Sequence, residues 1–542
     1  MAENAHMNAP MQNAASSGVL IFGGGACAKK IASNLADHNI NAWVVSGENG
    51  STASVAEDTV KRLPGSQLID CRLIDCKGFA GNFQLRIQRG DELLHKRVGA
   101  IVVAEDPIKL SNIEAYGLKP DGRILDISLL EDKMRNGSID DLFMRSARIA
   151  FFCGWKIDSH PVVAQRMLKR CLQLQQSSKY ATFFFTGNLK VAYSGAEAVY
   201  QQAKRSGSVF LKFTKDFPTV RTSEQGRFDI DYYDELTRTP FRLTADWIVV
   251  DETMGPGAGL DTLVQGLEIE TDTLGFAQSD NVHRLSNATN RRGIFVAGGA
   301  RGILCDHEQS ADADQVTVKV MAFLHGADGQ DLPKVEIHRG RCAKCLTCHR
   351  LCPHKAIDIG ADISVVTEAC QSCGICLAGC PARAIDMQGL KLGADTNAWG
   401  KMTAAQADRS DRMPKLMIFG CSRSAGQACK LTRLMGYSMP PGVHFVEVPC
   451  GGMISTRNLM AAFEDGIDAV MLCTCHTDNC RSDKGNLLAR KRAQCAADLL
   501  QCAGIESERL YVASVAANMG NEFYVMVNQW RDRIKALHKI EE

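Results

Sequence analysis

The sequence has no surplus of charge of either sign, no long apolar run and no second glycine-rich loop, and each absence removes a class of function. Lys and Arg number 62 against 61 Asp and Glu, a formal net charge of +1 over 542 residues. No chain-wide field draws such a protein to nucleic acid or to an anionic membrane. The longest apolar runs, such as Ile101-Val102-Val103-Ala104, fall far short of the roughly 18 residues that span a bilayer, so no direct membrane span is expected. The first 18 residues are polar and rich in Asn and Ala, with neither the basic nor the apolar region of an export signal. A cytoplasmic protein with a disordered start (1–17) is expected.

What the sequence has in quantity is cysteine, 22 residues, of which sixteen lie between Cys342 and Cys502. In a chain of this length without a signal peptide, that concentration points to metal ligation rather than disulfides. Cys342, Cys345, Cys348 and Cys352-Pro353 form C-x2-C-x2-C-x3-C-P, and Cys370, Cys373, Cys376 and Cys380-Pro381 repeat it 28 residues later. Three thiolates on one tight loop hold three corners of a cubane, and the fourth Cys of each run serves the other cluster. The spacing therefore assigns one [4Fe–4S] cluster to Cys342, Cys345, Cys348 and Cys380, and a second to Cys370, Cys373, Cys376 and Cys352. Paired zinc knuckles compete for these residues, but zinc sites use C-x2-C pairs rather than triplets with a trailing Cys-Pro.

The rest divides around this module. From Gly18 to about Leu332 the pattern is α/β. Val19–Phe22 reads as a strand, Gly23-Gly24-Gly25 as a turn, Ala28, Ile31, Ala32 and Leu35 as a helix face, and Ala42–Val45 as a second strand. Further buried strands are expected at 100–104, 149–153, 182–185, 247–250 and 294–297, giving two interleaved lobes. Residues 335–386 form the ferredoxin-like module, too short for a core unless clusters fill it. Residues 387–413 read as a linker, and 414–542 as a C-terminal α/β domain with a parallel sheet. Its last helix sets Phe523, Val527, Trp530, Ile534 and Leu537 on one face.

Gly23, Gly25 and Ala28 satisfy G-x-G-x-x-A between a strand and a helix, the setting in which backbone N–H groups and a helix N-terminus hold a pyrophosphate. Ser46 stands where an acid usually binds a ribose, with Glu48 two residues on. No comparable loop follows 149–153, which runs into Gly154-Trp155-Lys156, so no separate NAD(P)H site is expected. Near the C-terminus three apolar runs end at Cys421, at Cys450, and at Cys473 with Cys475. Strand ends share one edge of a parallel sheet, so Cys421, Cys450, Cys475 and Cys480 converge there, best read as holding a [2Fe–2S] cluster. A single zinc ion and a catalytic thiol are the alternatives. Cys473 faces the opposite side of its strand, while Cys429, Cys495 and Cys502 read as inert residues of helix cores.

The order of these modules resembles known families. Residues 18–386 resemble the A-subunit of heterodisulfide reductase. Residues 414–540, with Phe419-Gly420-Cys421, Pro449-Cys450-Gly451-Gly452 and Cys473-Thr474-Cys475-His476, resemble the delta subunit of methyl-viologen-reducing hydrogenase. The fusion is similar to the B-subunit of the quinone-interacting membrane-bound oxidoreductase complex. The resemblance implies a two-lobed Rossmann-like region with FAD at the Gly23 loop, closed by Gly298 and Gly299 at the end of the 294–297 strand, where such flavoproteins usually have Gly-Asp. It implies a hetero-oligomer with other redox subunits, a membrane-anchored one among the candidates. A further cluster of the heterodisulfide reductase family is expected to be missing, because only Cys153 remains of its cysteines. No side chain stands out as a catalytic base or nucleophile. The function expected is electron transfer between FAD, two [4Fe–4S] clusters and the C-terminal cluster, on to partner subunits. A docking scaffold without FAD and an autonomous NAD(P)H-dependent flavin oxidoreductase are the alternatives.

Overall fold

The computed structural model describes the chain except residues 1–17, 48–66, 69–70, 138–145, 178, 194, 224–225, 236, 278–286, 327–333, 389–413, 478 and 538–542. The expected disordered start, Glu48 and nearly all of the expected linker lie outside the described residues. The chain forms two compact units interleaved in sequence, one of residues 1–105, 259–301 and 310–542, the other of 106–258 and 302–309.

In the first unit, the strands Ile294–Val296, Ala100–Val103, Val19–Phe22, Ala42–Val45 and Gln67–Leu68 lie in that order in one parallel sheet. Such a sheet is covered on both faces, so its strands are apolar throughout rather than alternating. Leu20, Phe22, Val103 and Val296 face one core with Leu260 and Leu267. Val19, Ile21 and Val102 face another, formed with Ala28, Ile31 and Leu35 of the helix Ala26–Asp37 and with Val316 and Val320 of the helix Asp306–Leu324. An antiparallel meander, Cys71–Phe79, Asn82–Arg89 and Glu92–Val98, adds Leu73, Phe83, Leu85 and Ile87 to the first core. The apolar runs of the sequence do not signal this meander.

The second unit has its own parallel sheet, ordered Val209–Lys212, Ala181–Thr186, Arg148–Cys153, Trp247–Val250 and Ile124–Asp126. A further antiparallel sheet beyond the expected pattern, Thr219–Thr222, Phe228–Asp234 and Thr239–Ala245, belongs to this unit.

The cysteine module, within the first unit, is two short strand pairs and two one-turn helices. Val335–Ile337 pairs with Ile385–Met387 and Ile357–Ile359 with Ile363–Val365, while Thr347–Leu351 and Ile375–Gly379 are helical. Its core includes Ile357, Ile363, Ile385, Cys348 and Cys376, and also Met453 from the C-terminal domain. That domain is a parallel sheet ordered Val443–Val448, Leu416–Cys421, Ala469–Thr474 and Leu510–Ser514. As expected, Phe523, Val527, Trp530 and Ile534 of the helix Gly520–Ala536 are buried, against Leu416, Ile418 and Met471.

Gly374 decides how closely the module and the C-terminal domain approach. Its φ is +75°, and an added Cβ would lie 2.7 Å from the Sδ of Met453. Ile375 beside it packs among Cys421, Cys450, Cys475 and Cys480. Gly374→Ala is expected to destabilise the chain by about 1–3 kcal/mol in denaturant unfolding, and Met453→Ala in the same chain to restore part of the loss. Independent, additive effects of the two substitutions would contradict a shared contact.

Candidate metal centres and the glycine loop

The module's sulfurs stand round two separate voids. Cys342, Cys345, Cys348 and Cys380 line one of about 20 Å³ with Ile337, Leu346 and Ile363. Cys352, Cys370, Cys373 and Cys376 line another of about 20 Å³ with Val335, Ile357 and Ile375. Each void thus takes three cysteines from one motif and the fourth from the other. Left-handed residues curl each loop inward, Lys344 and Leu346 in the first, Ser372 and Gly374 in the second. Backbone N–H groups point at sulfur: Ala356 donates to Cys352 at 3.3 Å, Ser372 to Cys370 at 3.4 Å and Ala384 to Cys380 at 3.3 Å. Such donors stabilise thiolates, and metal binding requires the thiolate form. Burial pushes the Cys373 thiol up to about 12 and raises Cys376 and Cys352 as well. Cys345 is exposed, and the Thr347 hydroxyl holds it below the ordinary thiol range.

At the carboxyl edge of the C-terminal sheet, Cys421, Cys450, Cys475 and Cys480 are all buried in one cluster. The sulfurs of Cys421 and Cys475 are 3.7 Å apart. Those of Cys450 and Cys480 converge over Gly485, where an added Cβ would lie 2.5 Å and 3.2 Å from them. The Asn486 side chain donates to the carbonyls of His476 at 2.7 Å and Cys475 at 3.3 Å, which fixes the turn carrying the last two cysteines. Hydrogen bonding to Cys480, with burial, pushes the Cys450 thiol up, and Cys480, accepting from Cys450 and Cys475, is pulled down. The donor set of four crowded sulfurs suits a thiophilic metal or cluster. The cavity they line measures about 340 Å³ and is also lined by Arg423, Glu447, Arg481, Ser482, Gln371, Ser372 and Cys373. Cys373 therefore lines both the second void of the module and the C-terminal cavity.

The remaining cysteines fall elsewhere. Cys473 is buried in the core on the far face of the sheet, together with Cys429, so Cys429 is not brought to the four. Cys495 and Cys502 are exposed, which corrects their reading as core residues. The helix Gly485–Cys502 buries Ala489, Ala493, Ala496 and Leu500 instead, and that spacing turns both cysteines outward.

At the glycine loop, Gly23 has a φ of +132°, and an added Cβ would strike the carbonyl oxygen of Ala104. Gly25 precedes the helix Ala26–Asp37 and provides no side-chain cap, while Ala28 is buried beneath. An uncapped helix start on a glycine turn suits a phosphate. Ser46 is buried at the end of the second strand, next to the loop: a Cβ on Gly24 would lie 3.3 Å from its own. Gly298 and Gly299 form a buried turn after Ile294–Val296. The N–H of Gly298 is donated to Asp312 at 2.7 Å, and Asp312 also accepts from Asn287 at 2.8 Å and Arg301 at 3.1 Å. This buried carboxylate escaped the sequence reading because its partners lie 25, 14 and 11 residues away.

In the second unit the turn after Cys153 is filled from within. Gly154 donates its N–H to Asp251 at 2.7 Å, and Asn112 donates to the same carboxylate at 3.0 Å. Trp155 is buried and packs on Phe152 and Tyr116. Burial keeps the Cys153 thiol protonated by raising it far above the ordinary range.

Two four-cysteine voids and a third sulfur-lined cavity define an iron–sulfur protein of the oxidoreductase class. Residues 334–397 match the family model of the 4Fe-4S dicluster domain, and residues 416–538 that of the methyl-viologen-reducing hydrogenase delta subunit. The vhc iron-sulfur D-subunit of the F420-non-reducing hydrogenase of Methanococcus voltae is 30% identical over 124 residues, 23% of this chain and 86% of that protein. Through its C-terminal domain the chain belongs to the hydrogenase delta-subunit family. The A-subunit of the ferredoxin:CoB-CoM heterodisulfide reductase of Methanosarcina mazei is 26% identical over 354 residues, 65% of this chain. The chain spans 44% of that relative's length. Among solved structures, thioredoxin reductase of Lactococcus lactis aligns over 57% of this chain and 100% of its own, with a TM-score of 0.38 and 15% identity.

The crossed arrangement of sulfurs has a direct spectroscopic consequence. Cys352→Ser is expected to alter the paramagnetic resonance signal of the centre held by Cys370, Cys373 and Cys376, and Cys380→Ser that of the centre held by Cys342, Cys345 and Cys348. Loss confined to the sequence-adjacent centre in each variant would refute the crossing.

Proposed function

We propose that this chain is an electron-transfer subunit of a multi-subunit anaerobic redox complex. Its cysteines hold three iron–sulfur centres in a row: Cys342, Cys345, Cys348 and Cys380 at one end, Cys370, Cys373, Cys376 and Cys352 between, and Cys421, Cys450, Cys475 and Cys480 at the other. The observation that carries this reading is the position of Cys373, which borders both the second void and the C-terminal cavity. Clusters in these sites would supply one-electron storage and transfer, and a flavin would join such steps to two-electron chemistry. The protein's own part is to fix the spacing through Gly374, Ile375 and Met453, to donate N–H groups to sulfur, and to exclude water from the middle site.

FAD at Gly23, Gly25, Ala28, Ser46, Gly298 and Gly299 belongs to the same proposal, supported by the uncapped helix start and the close turn at Gly23. A [2Fe–2S] cluster at the C-terminal site is supported by the chain of touching sulfurs. A scaffold without flavin is the second reading, favoured by the commitment of the Gly298 N–H to Asp312 and by Gly299 in place of an acid. The partners proposed are redox subunits of the heterodisulfide reductase, hydrogenase or quinone-interacting kind, in a cytoplasmic hetero-oligomer that meets a membrane through one of them. Among the described residues no helix is long and apolar enough to cross a membrane.

Anaerobically purified chain is expected to carry about ten iron atoms, no zinc, and one acid-extractable flavin. Iron without a yellow chromophore would select the scaffold. Zinc at the C-terminal site would reduce the relay to the two cubanes, and absence of iron would end the proposal.

A further inference from the structure

The cavity at the carboxyl edge of the C-terminal sheet is larger than its four cysteines require. Each void of the cysteine module holds four sulfurs round about 20 Å³, whereas Cys421, Cys450, Cys475 and Cys480 border about 340 Å³. A [2Fe–2S] centre is smaller than a cubane, so a centre on these sulfurs accounts for one wall and leaves space beside it. The whole volume falls at the lower end of small-molecule pockets, about 300–1,000 Å³. Its place in the fold is also that of a ligand pocket. In an open parallel sheet ligands gather beyond the carboxyl ends of the strands, where the chain order reverses. The strand Leu416–Cys421 has Val443–Val448 on one side and Ala469–Thr474 on the other. The reversal therefore falls beside Cys421, and Ser422 and Arg423 follow it directly.

Away from the sulfurs the wall is polar and cationic. Arg423 and Arg481 line it together with Ser372, Ser422, Ser482 and Gln371. Ser372 and Ser482 are buried, at 4% and 6% exposure, and Arg481 donates its Nε–H to Gln371 at 3.4 Å. Arg423 is half-buried, and among the described residues no carboxylate pairs with it. The one carboxylate on the wall, Glu447, is engaged elsewhere. It meets Lys430 at 3.4 Å and lies over the first turn of the helix Ala425–Leu434, where a Cβ on Gly426 would be 3.1 Å from it. Counter-charge for sulfur does not explain the two arginines. The second void of the module has as many cysteines and, among the described residues, neither Lys nor Arg on its lining.

We propose that this cavity is a binding site for a small molecule bearing an oxyanion, phosphate or carboxylate, held by the guanidinium groups of Arg423 and Arg481. A guanidinium fork matches either group with two parallel hydrogen bonds, and the hydroxyls and the amide round it supply further donors. The site binds and transforms nothing, and it stands whether or not the four sulfurs carry iron, so it is independent of the relay.

Inorganic phosphate and malonate are titrated calorimetrically into the full chain as purified, at constant ionic strength. Saturable binding of one equivalent is expected, and the tighter of the two anions identifies the head group. Arg423→Gln and Arg481→Gln are each expected to raise the dissociation constant about tenfold, the effect of losing charge-assisted hydrogen bonds. Lys491→Gln, an exposed change on the helix Gly485–Cys502, is expected to leave it unchanged. A measurement on the parent chain alone guards against misfolded variants. The bound anion is expected to slow phenylglyoxal modification of Arg423 and Arg481, read by peptide mass mapping, while Arg339, 81% exposed, reacts as before. No binding of either anion, binding that survives both substitutions, or protection of Arg339 equal to that of the pair would overturn the site. Iron is assayed on the same samples: a chain without iron that binds the anion refutes the relay and supports this site, and an iron-loaded chain that binds neither anion does the reverse.

Discussion

The structure depends on one close approach: a glycine with left-handed backbone, Gly374, lets the second half of the cysteine module press Ile375 and its neighbours into the C-terminal domain. Electron exchange between metal centres weakens steeply with separation, so the proposed relay would need the walls of its sites shared rather than merely near. Met453 entering the module's core and Ile375 entering the C-terminal cluster do this in both directions. The rigid packing of protein interiors then holds the spacing without further devices.

The same interlock explains why duplicated halves have diverged. Once one copy is committed to an internal contact, its small and apolar side chains are fixed by space, and the other copy is left facing water. The result is a difference in access: Cys345 of the first void is exposed, no cysteine of the second void is, and a wider cavity lies beside Arg423 and Arg481. The segment that carries the strand Ile294–Val296 braces the module, with Arg292 donating to the carbonyl of Glu368 at 3.1 Å and His354 meeting the carbonyl of Asn290 at 3.3 Å.

Much of this was legible in the sequence where chemistry fixes spacing along the chain. The grouping of four cysteines round each void follows from ligand counts within 39 residues (Cys342 to Cys380), and most strands of the three parallel sheets announce themselves as apolar runs, whereas the edge strands Gln67–Leu68, Ile124–Asp126, Val209–Lys212 and Leu510–Ser514 do not. The meander at Cys71–Val98 was signalled more faintly, by alternating Phe83, Leu85 and Ile87 between glycine turns, and a search for helical spacing passes over it. Cys495 and Cys502 could have been turned outward by following the alanines of their helix. Asp251 and Asp312 could not have been found. Each acquires its role from partners distant in sequence, Asn112 being 139 residues from Asp251, and a lone Asp carries no mark of what it will meet.

The interleaving of the units governs how such a chain must be made. The strand Ile294–Val296 completes the first sheet beside Ala100–Val103, yet the ribosome releases it only after all of residues 106–258 have been synthesised. Until then the emerging first lobe has an unpaired sheet edge and a half-covered core, while every strand of the second unit's parallel sheet, the last of them Trp247–Val250, is already present. Domains tend to fold as they emerge, and here the later segment is the first that can finish. The cysteine-lined voids close later still, since residues from Val335 onward wall them. Until Ile294–Val296 arrives, an unfinished apolar interior stays open to straying contacts.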